Sequence, residues 1–198
     1  MKKTLLFLGS SVTYGMDVDN YSMCEYLAAT DRFEVIKWAV PGTTLADIDS
    51  QSYVSRLAAR RGEVRACDHF ICQLSTNDAG RGLPLGEISP SRDPADFDTA
   101  TVTGAMEWII ATAKATWHAP VAFYTGTRFD NSRYAVMVER LFALQKKWDI
   151  GIIDLWNDPD MNAVTPDEYA RYMGDPIHPT KVGYDAWWGP KFLAYLAK

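Results

Sequence analysis

Five short apolar runs punctuate the chain, at residues 4–8, 34–39, 68–74, 121–125 and 151–155. Each is followed by a stretch in which apolar residues recur at helical spacing. The runs are rich in β-branched and aromatic residues and do not alternate strictly, which predicts strands buried on both faces. Ser22-Met23-Cys24-Glu25 reads as a capping box that opens a helix through about residue 29. Further helices are expected over 45–61, 99–116 and 132–148. Pro179-Thr180-Lys181 opens a last one toward Ala197, with Gly189-Pro190 a candidate break. Strand alternating with helix throughout predicts an α/β fold: a parallel sheet covered on both faces.

No repeat, low-complexity tract or linker divides the 198 residues, so one domain over 1–198 is expected. Two irregular stretches stand out, 79–98 and 157–175, the second with a short helix around 167–172. Their length favours walls of a functional site. A hydrophobic content of 47% supports one sizeable core. The formal charge of −5 gives no footprint for nucleic acid. Arg56, Arg60, Arg61 and Glu63 read as a solvated helix face.

Met1-Lys2-Lys3 precedes an apolar run of five residues, too short for a secretory leader, and no run approaches a membrane span. Three cysteines (Cys24, Cys67, Cys72), odd in number and without a C-x-x-C, are expected to be small buried residues. A cytoplasmic location without disulfide, zinc or membrane association follows as the expectation.

The candidate chemistry lies at the two ends. The first run stops in Gly9-Ser10-Ser11-Val12-Thr13-Tyr14-Gly15, a glycine-bracketed turn that presents hydroxyls at the rim of a sheet. A serine needs a base, and histidine is the usual one near neutral pH. His69 begins the third run and His118 precedes the fourth, which puts both at the wrong edge of a parallel sheet. His178 remains. Asp175, three residues earlier in a segment stiffened by Pro176 and Pro179, can hold one ring nitrogen while the other faces a serine. Gly42, after the second run, and Asn77, after the third, offer donors for a developing oxyanion. Between Ser10 and Ser11 the residues alone do not choose.

These blocks resemble those of the SGNH hydrolases, the GDSL esterase/lipase superfamily. Gly9–Gly15 resembles the first block, usually Gly-Asp-Ser-x-Thr-x-Gly; Gly42 fits the second. Ser75-Thr76-Asn77-Asp78 fits the third, usually Gly-x-Asn-Asp, and Asp175-Pro176-Ile177-His178 the last. The resemblance spans almost the whole chain with the blocks in order. It implies Ser11 as nucleophile, His178 as base and Asp175 as orienter. The oxyanion hole would be Ser11 N–H, Gly42 N–H and the Asn77 amide. The implied fold is a three-layer α/β/α sandwich on a five-stranded parallel, flavodoxin-like sheet, and no cofactor or metal is implied. Two residues depart from the pattern: Ser10 stands for aspartate, altering contacts beneath the turn, and Ser75 for glycine, adding a side chain near the oxyanion pocket.

The expected activity is hydrolysis of a short, acetyl-type ester, with an acetylated sugar as the favoured small-molecule partner. Trp187-Trp188 could stack on a sugar ring but are expected chiefly to pack the last helix. Arg81 and Arg92 are read as solvated, with an anionic substrate group as the other possibility. Two alternatives use the same features: an acyltransferase with the same triad, and a phosphate- or nucleotide-binding module at the Gly9–Gly15 turn. The second lacks the lysine of a phosphate loop and leaves Asp175 and His178 without a task.

Overall fold

The computed structural model describes residues 2–198. Five strands, β1 (Lys3–Gly9), β2 (Phe33–Ala39), β3 (His69–Gln73), β4 (Val121–Tyr124) and β5 (Gly151–Ile153), form one parallel sheet. Its order is β2-β1-β3-β4-β5, so the connection reverses direction between β1 and β3 and opens a crevice at their carboxyl ends. The helical segments are α1 (Ser11–Tyr14), α2 (Met23–Ala28), α3 (Tyr53–Arg60), α4 (Thr76–Gly80) and α5 (Val102–Trp117). Then follow α6 (Ser132–Trp148), α7 (Pro166–Tyr172), α8 (Lys181–Gly183) and α9 (Gly189–Leu196).

Successive strand residues point to opposite faces. Leu6, Leu8, Phe70, Cys72, Val121 and Phe123 join one cluster with residues of α3, α5 and α6. Leu5, Phe7, Ile71 and Tyr124 join a second with α2 and α9. Full burial of a large apolar side chain contributes about 1.5–3 kcal/mol. That packing, rather than intrinsic propensity, holds segments as short as α1 and α4, which could not persist alone. All three cysteines are buried and free, as expected. No helix among the described residues is long and apolar enough to cross a membrane.

The expected helix over 45–61 begins only at Tyr53. Residues 45–52 stay irregular because distant acceptors claim their amides. Leu45 and Ala46 donate to the buried Asp78 carboxylate at 2.8 and 3.0 Å, and Asp47 donates to the Thr99 carbonyl at 2.8 Å. Nor does the last helix break at Gly189-Pro190. A π-helical turn, Tyr184–Trp188, joins α8 to α9, with the Gly189 N–H reaching the Tyr184 carbonyl. Pro190 follows directly, in the first turn of α9, so the π-helical turn stands where the proline removes a donor from the continuous helix. A Cβ on Gly189 would stand 2.5 Å from the Tyr26 ring, so glycine sets how closely α2 approaches.

Stretch 79–98 is mainly a strap over α5 and α6. The Ser89 N–H donates to Glu107 at 2.8 Å, and Lys147 donates to the Ser89 and Ser91 carbonyls at 2.6 Å each. Stretch 157–175 carries α7, opened by a Thr165/Glu168 capping box, and faces the crevice.

Candidate active site

The turn after β1 is fixed from several sides. Ser10 precedes α1 and Ser11 is its first residue. A Cβ on Gly9 would lie 1.7 Å from Thr13 Oγ1, so the turn requires glycine there. Gln73, at the end of β3, accepts hydrogen bonds from the Ser10 N–H (2.9 Å) and the Thr13 hydroxyl (2.8 Å). The Thr13 hydroxyl also lies 2.6 Å from that of Tyr124. The Tyr184 hydroxyl donates to the Val12 carbonyl at 2.8 Å. Gly15 closes the segment at φ +83°, and two strands and the last helical segment therefore aim Ser11.

The other end arrives as a pinched loop. Met173 pairs antiparallel with Pro179, and the Gly174 N–H donates to the His178 carbonyl at 2.8 Å. Inside the loop Asp175 Oδ1 accepts from the amides of Ile177 (2.7 Å) and His178 (2.8 Å). Its Oδ2 lies 2.7 Å from His178 Nδ1, and His178 Nε2 lies 2.8 Å from Ser11 Oγ. Partial burial pushes the Asp175 carboxyl up, but the hydrogen bonds from the His178 ring and the two amides outweigh it and hold it below the usual range. Ser11, rather than Ser10, meets the histidine. Ser10 is fully buried against the Tyr53 phenol.

Gly42 lies in the turn after β2 at φ +77°, and a Cβ there would meet nothing within 4 Å. Glycine therefore serves the left-handed backbone rather than space. Asn77, on α4, donates from Nδ2 to the Thr43 carbonyl at 2.8 Å, leaving its second N–H available. Among the described residues neither the Ser11 nor the Gly42 N–H has an acceptor. Ser75 lies beside Asn77 and Thr43. It is fully buried, and its hydroxyl accepts from the Asn77 N–H at 3.2 Å, capping α4.

The main residue missed in sequence is Arg56, which is buried rather than solvated. Its guanidinium donates to the carbonyls of Gln51 (2.9 Å), Trp38 (2.9 Å) and Gly9 (2.8 Å) and to the Thr43 hydroxyl (3.0 Å). It thereby ties the turn before Ser11 to the loop that carries Gly42. Arg56→Met should strand these acceptors and lower stability by about 2–4 kcal/mol in urea titration, with Arg56→Lys recovering part of the loss. Arg81 is engaged too, donating to the Gly42 carbonyl at 2.8 Å, and Arg92 lies away from the crevice on the Lys147 carbonyl. His69 begins β3 and His118 ends α5 at φ +51°, both at the opposite edge. Among the described residues no group of three or more His, Cys, Asp or Glu could hold a metal ion.

Two openings border Thr127, just past the end of β4, and neither is lined by Ser11, Asp175 or His178 themselves. A recess of about 10 Å³ is lined by Val12, Thr76, Gly126, Thr127, Pro176 and Ile177, of which Val12, Thr76 and Ile177 adjoin Ser11, Asn77 and His178 in the chain. Thr127 also borders a pocket of about 350 Å³ walled by Arg128, Met161, Val164, Tyr169 and Trp187. A cavity of similar volume, lined by Leu83, Pro84, Val136 and Met137, touches none of Ser11, Asp175 and His178.

Solved structures of similar shape cover nearly the whole chain. A protein from Lactobacillus plantarum is 21% identical with a TM-score of 0.82, covering 99% of this chain and 97% of its own. A member of the lipolytic protein G-D-S-L family from Veillonella parvula is 17% identical with a TM-score of 0.73, covering 98% of each chain. The aryl esterase of M. smegmatis is 16% identical with a TM-score of 0.66, again covering 98% of each. At such identities these neighbours show the fold. No curated protein matches the sequence significantly. The sequence itself matches the GDSL-like Lipase/Acylhydrolase family over residues 7–186. The chain thus belongs to the GDSL-like Lipase/Acylhydrolase family, whose members are ester-hydrolysing serine hydrolases.

Proposed function

We propose that this chain removes a short acyl group, acetyl above all, from an ester of an oxygen-rich alcohol such as a sugar. Ser11 Oγ attacks the ester carbonyl while His178 Nε2 takes its proton, and Asp175 stabilises the imidazolium through Nδ1. The oxyanion is received by the Ser11 and Gly42 amides and the free N–H of Asn77, each such donor being worth roughly 10²–10³ in rate. Collapse expels the alcohol with the proton from His178. Water, deprotonated by the same ring, then attacks the acyl-enzyme and releases the acid.

The observation that carries the short-acyl reading is the size of the recess lined by Val12 and Ile177, the chain neighbours of Ser11 and His178. About 10 Å³ holds one water or a methyl group and no alkyl chain. On p-nitrophenyl esters, kcat/KM should be highest for acetate and fall about tenfold or more by butyrate, since one misfitting methylene changes discrimination by roughly 10–200-fold. A rate that rises from acetate to octanoate would overturn the reading.

A further inference from the structure

The turn that carries Gly42 is held at its ends and loose at its middle. The Thr43 N–H and hydroxyl both donate to the Val40 carbonyl, at 3.4 and 2.7 Å. Arg56 and Asn77 hold the Thr43 hydroxyl and carbonyl in turn. Further on, the Asp78 carboxylate takes the amides of Leu45 and Ala46. Between these anchors Pro41 has no N–H to give and Gly42 has no side chain. Among the described residues a single hydrogen bond reaches the backbone of either one. It runs from the Arg81 guanidinium to the Gly42 carbonyl, at 2.8 Å.

The end of α4 places Arg81 for this contact. Its N–H donates to the Asn77 carbonyl at 2.9 Å, which extends the helical backbone to residue 81. Residues four apart share a helix face, and Asn77 and Arg81 grip successive carbonyls of the facing loop, Thr43 and Gly42. The Arg81 side chain is exposed, and among the described residues no acid pairs with it. Its charge is free to strengthen the bond to the carbonyl.

We infer that Arg81 is a positioning residue of the oxyanion hole, which sets the distance between the Gly42 N–H and the Asn77 amide. The inference rests on the reading above that these two groups help to receive the oxyanion. Gly42 follows β2 and Asn77 follows β3, and β1 lies between those strands in the sheet. No strand pairing therefore fixes the spacing of the two donors, and side chains must do so. A Cβ on Gly42 would meet nothing within 4 Å, so packing does not restrain this left-handed residue. A displacement of about 1 Å at a reacting centre can cost roughly 10² in rate. Arg81 removes that freedom by tying Gly42 to the helix that carries Asn77. It acts through Gly42, so its effect falls on the transition state rather than on affinity for the ester.

The test is a double-mutant cycle between Arg81→Met and Gly42→Ala, assayed on p-nitrophenyl acetate. Arg81 is exposed, so its replacement should leave the fold intact. Arg81→Met should lower kcat about tenfold and keep KM within about twofold of wild type. Alanine at residue 42 fits the space but not the left-handed backbone, so its N–H should already be misplaced. Adding Arg81→Met to Gly42→Ala should then lower kcat by less than about twofold. An unchanged kcat in Arg81→Met, a loss confined to KM, or an undiminished loss in the Gly42→Ala background would overturn the inference. Failure of the oxyanion reading itself would look different, as wild-type kcat in Gly42→Ala alone.

Discussion

Ser11→Ala should lower kcat/KM for p-nitrophenyl acetate by on the order of 10⁵-fold, because no other hydroxyl can replace the attacking atom. What survives should be the contribution of the oxyanion donors and of binding, which alone exceeds the uncatalysed rate by roughly 10³–10⁴. The fold should not suffer. The Ser11 hydroxyl contacts only the His178 ring, whereas the turn is held by Gln73, Tyr124 and Tyr184. A melting temperature within about 2 °C of wild type would show this, since 1 kcal/mol shifts a domain of this size by only a few degrees. A serine-directed phosphonate should label wild type at Ser11 and leave the variant unmodified. A variant that keeps several per cent of wild-type activity would refute the assignment of Ser11.

Asp175→Asn should cost about 10³–10⁴ in kcat, with a small change in KM. The reason lies in how the two carboxylate oxygens are employed. Oδ1 receives two backbone amides and Oδ2 faces His178 Nδ1. An asparagine will keep its oxygen on the two amides and turn its NH₂ toward Nδ1. The ring must then accept at Nδ1 and carry its proton at Nε2, so it cannot take the serine proton. In wild type the depressed Asp175 carboxyl preserves the ring contact through mildly acid conditions. The contact's contribution to stability is present above the carboxyl's unfolded-state pKa and is lost as pH falls through the lower folded value. A kcat/KM profile for Asp175→Asn that merely shifts along the pH axis and regains the wild-type plateau would contradict the tautomer argument.

Much of this architecture is legible in the sequence because it rests on local signals. The apolar runs give all five strands to within two residues at either end, and α6 occupies its expected span, capped by Asn131 and closed by Asp149 in the left-handed region. The stiff Asp-x-x-His segment and the glycine-bracketed turn carry their chemistry within a few residues. What escapes is what depends on partners far along the chain. Residues 45–52 carry a helical pattern, but the Asp78 carboxylate and the Thr99 carbonyl claim their amides. Arg56 sits among charged neighbours as a surface residue would. Only in the folded sheet do Gly9, Trp38, Gln51 and Thr43 converge on it.

The wide separation of the site's two halves has a consequence for how activity is acquired. Ser11 and His178 stand 167 positions apart, and the loop bearing His178 is seated through Tyr184, Trp188 and α9 on strands formed much earlier in the chain. Closing so long a loop carries an entropic cost recovered only when the sheet is already assembled. During synthesis the serine turn and the oxyanion loop can therefore form while the base is still on the ribosome. A nascent chain in that state presents an exposed hydroxyl with no means of ionising it. Competence to cleave esters is thus conferred late, by the docking of the helical segment after His178, the same step that buries Trp188 and Phe192 against the sheet.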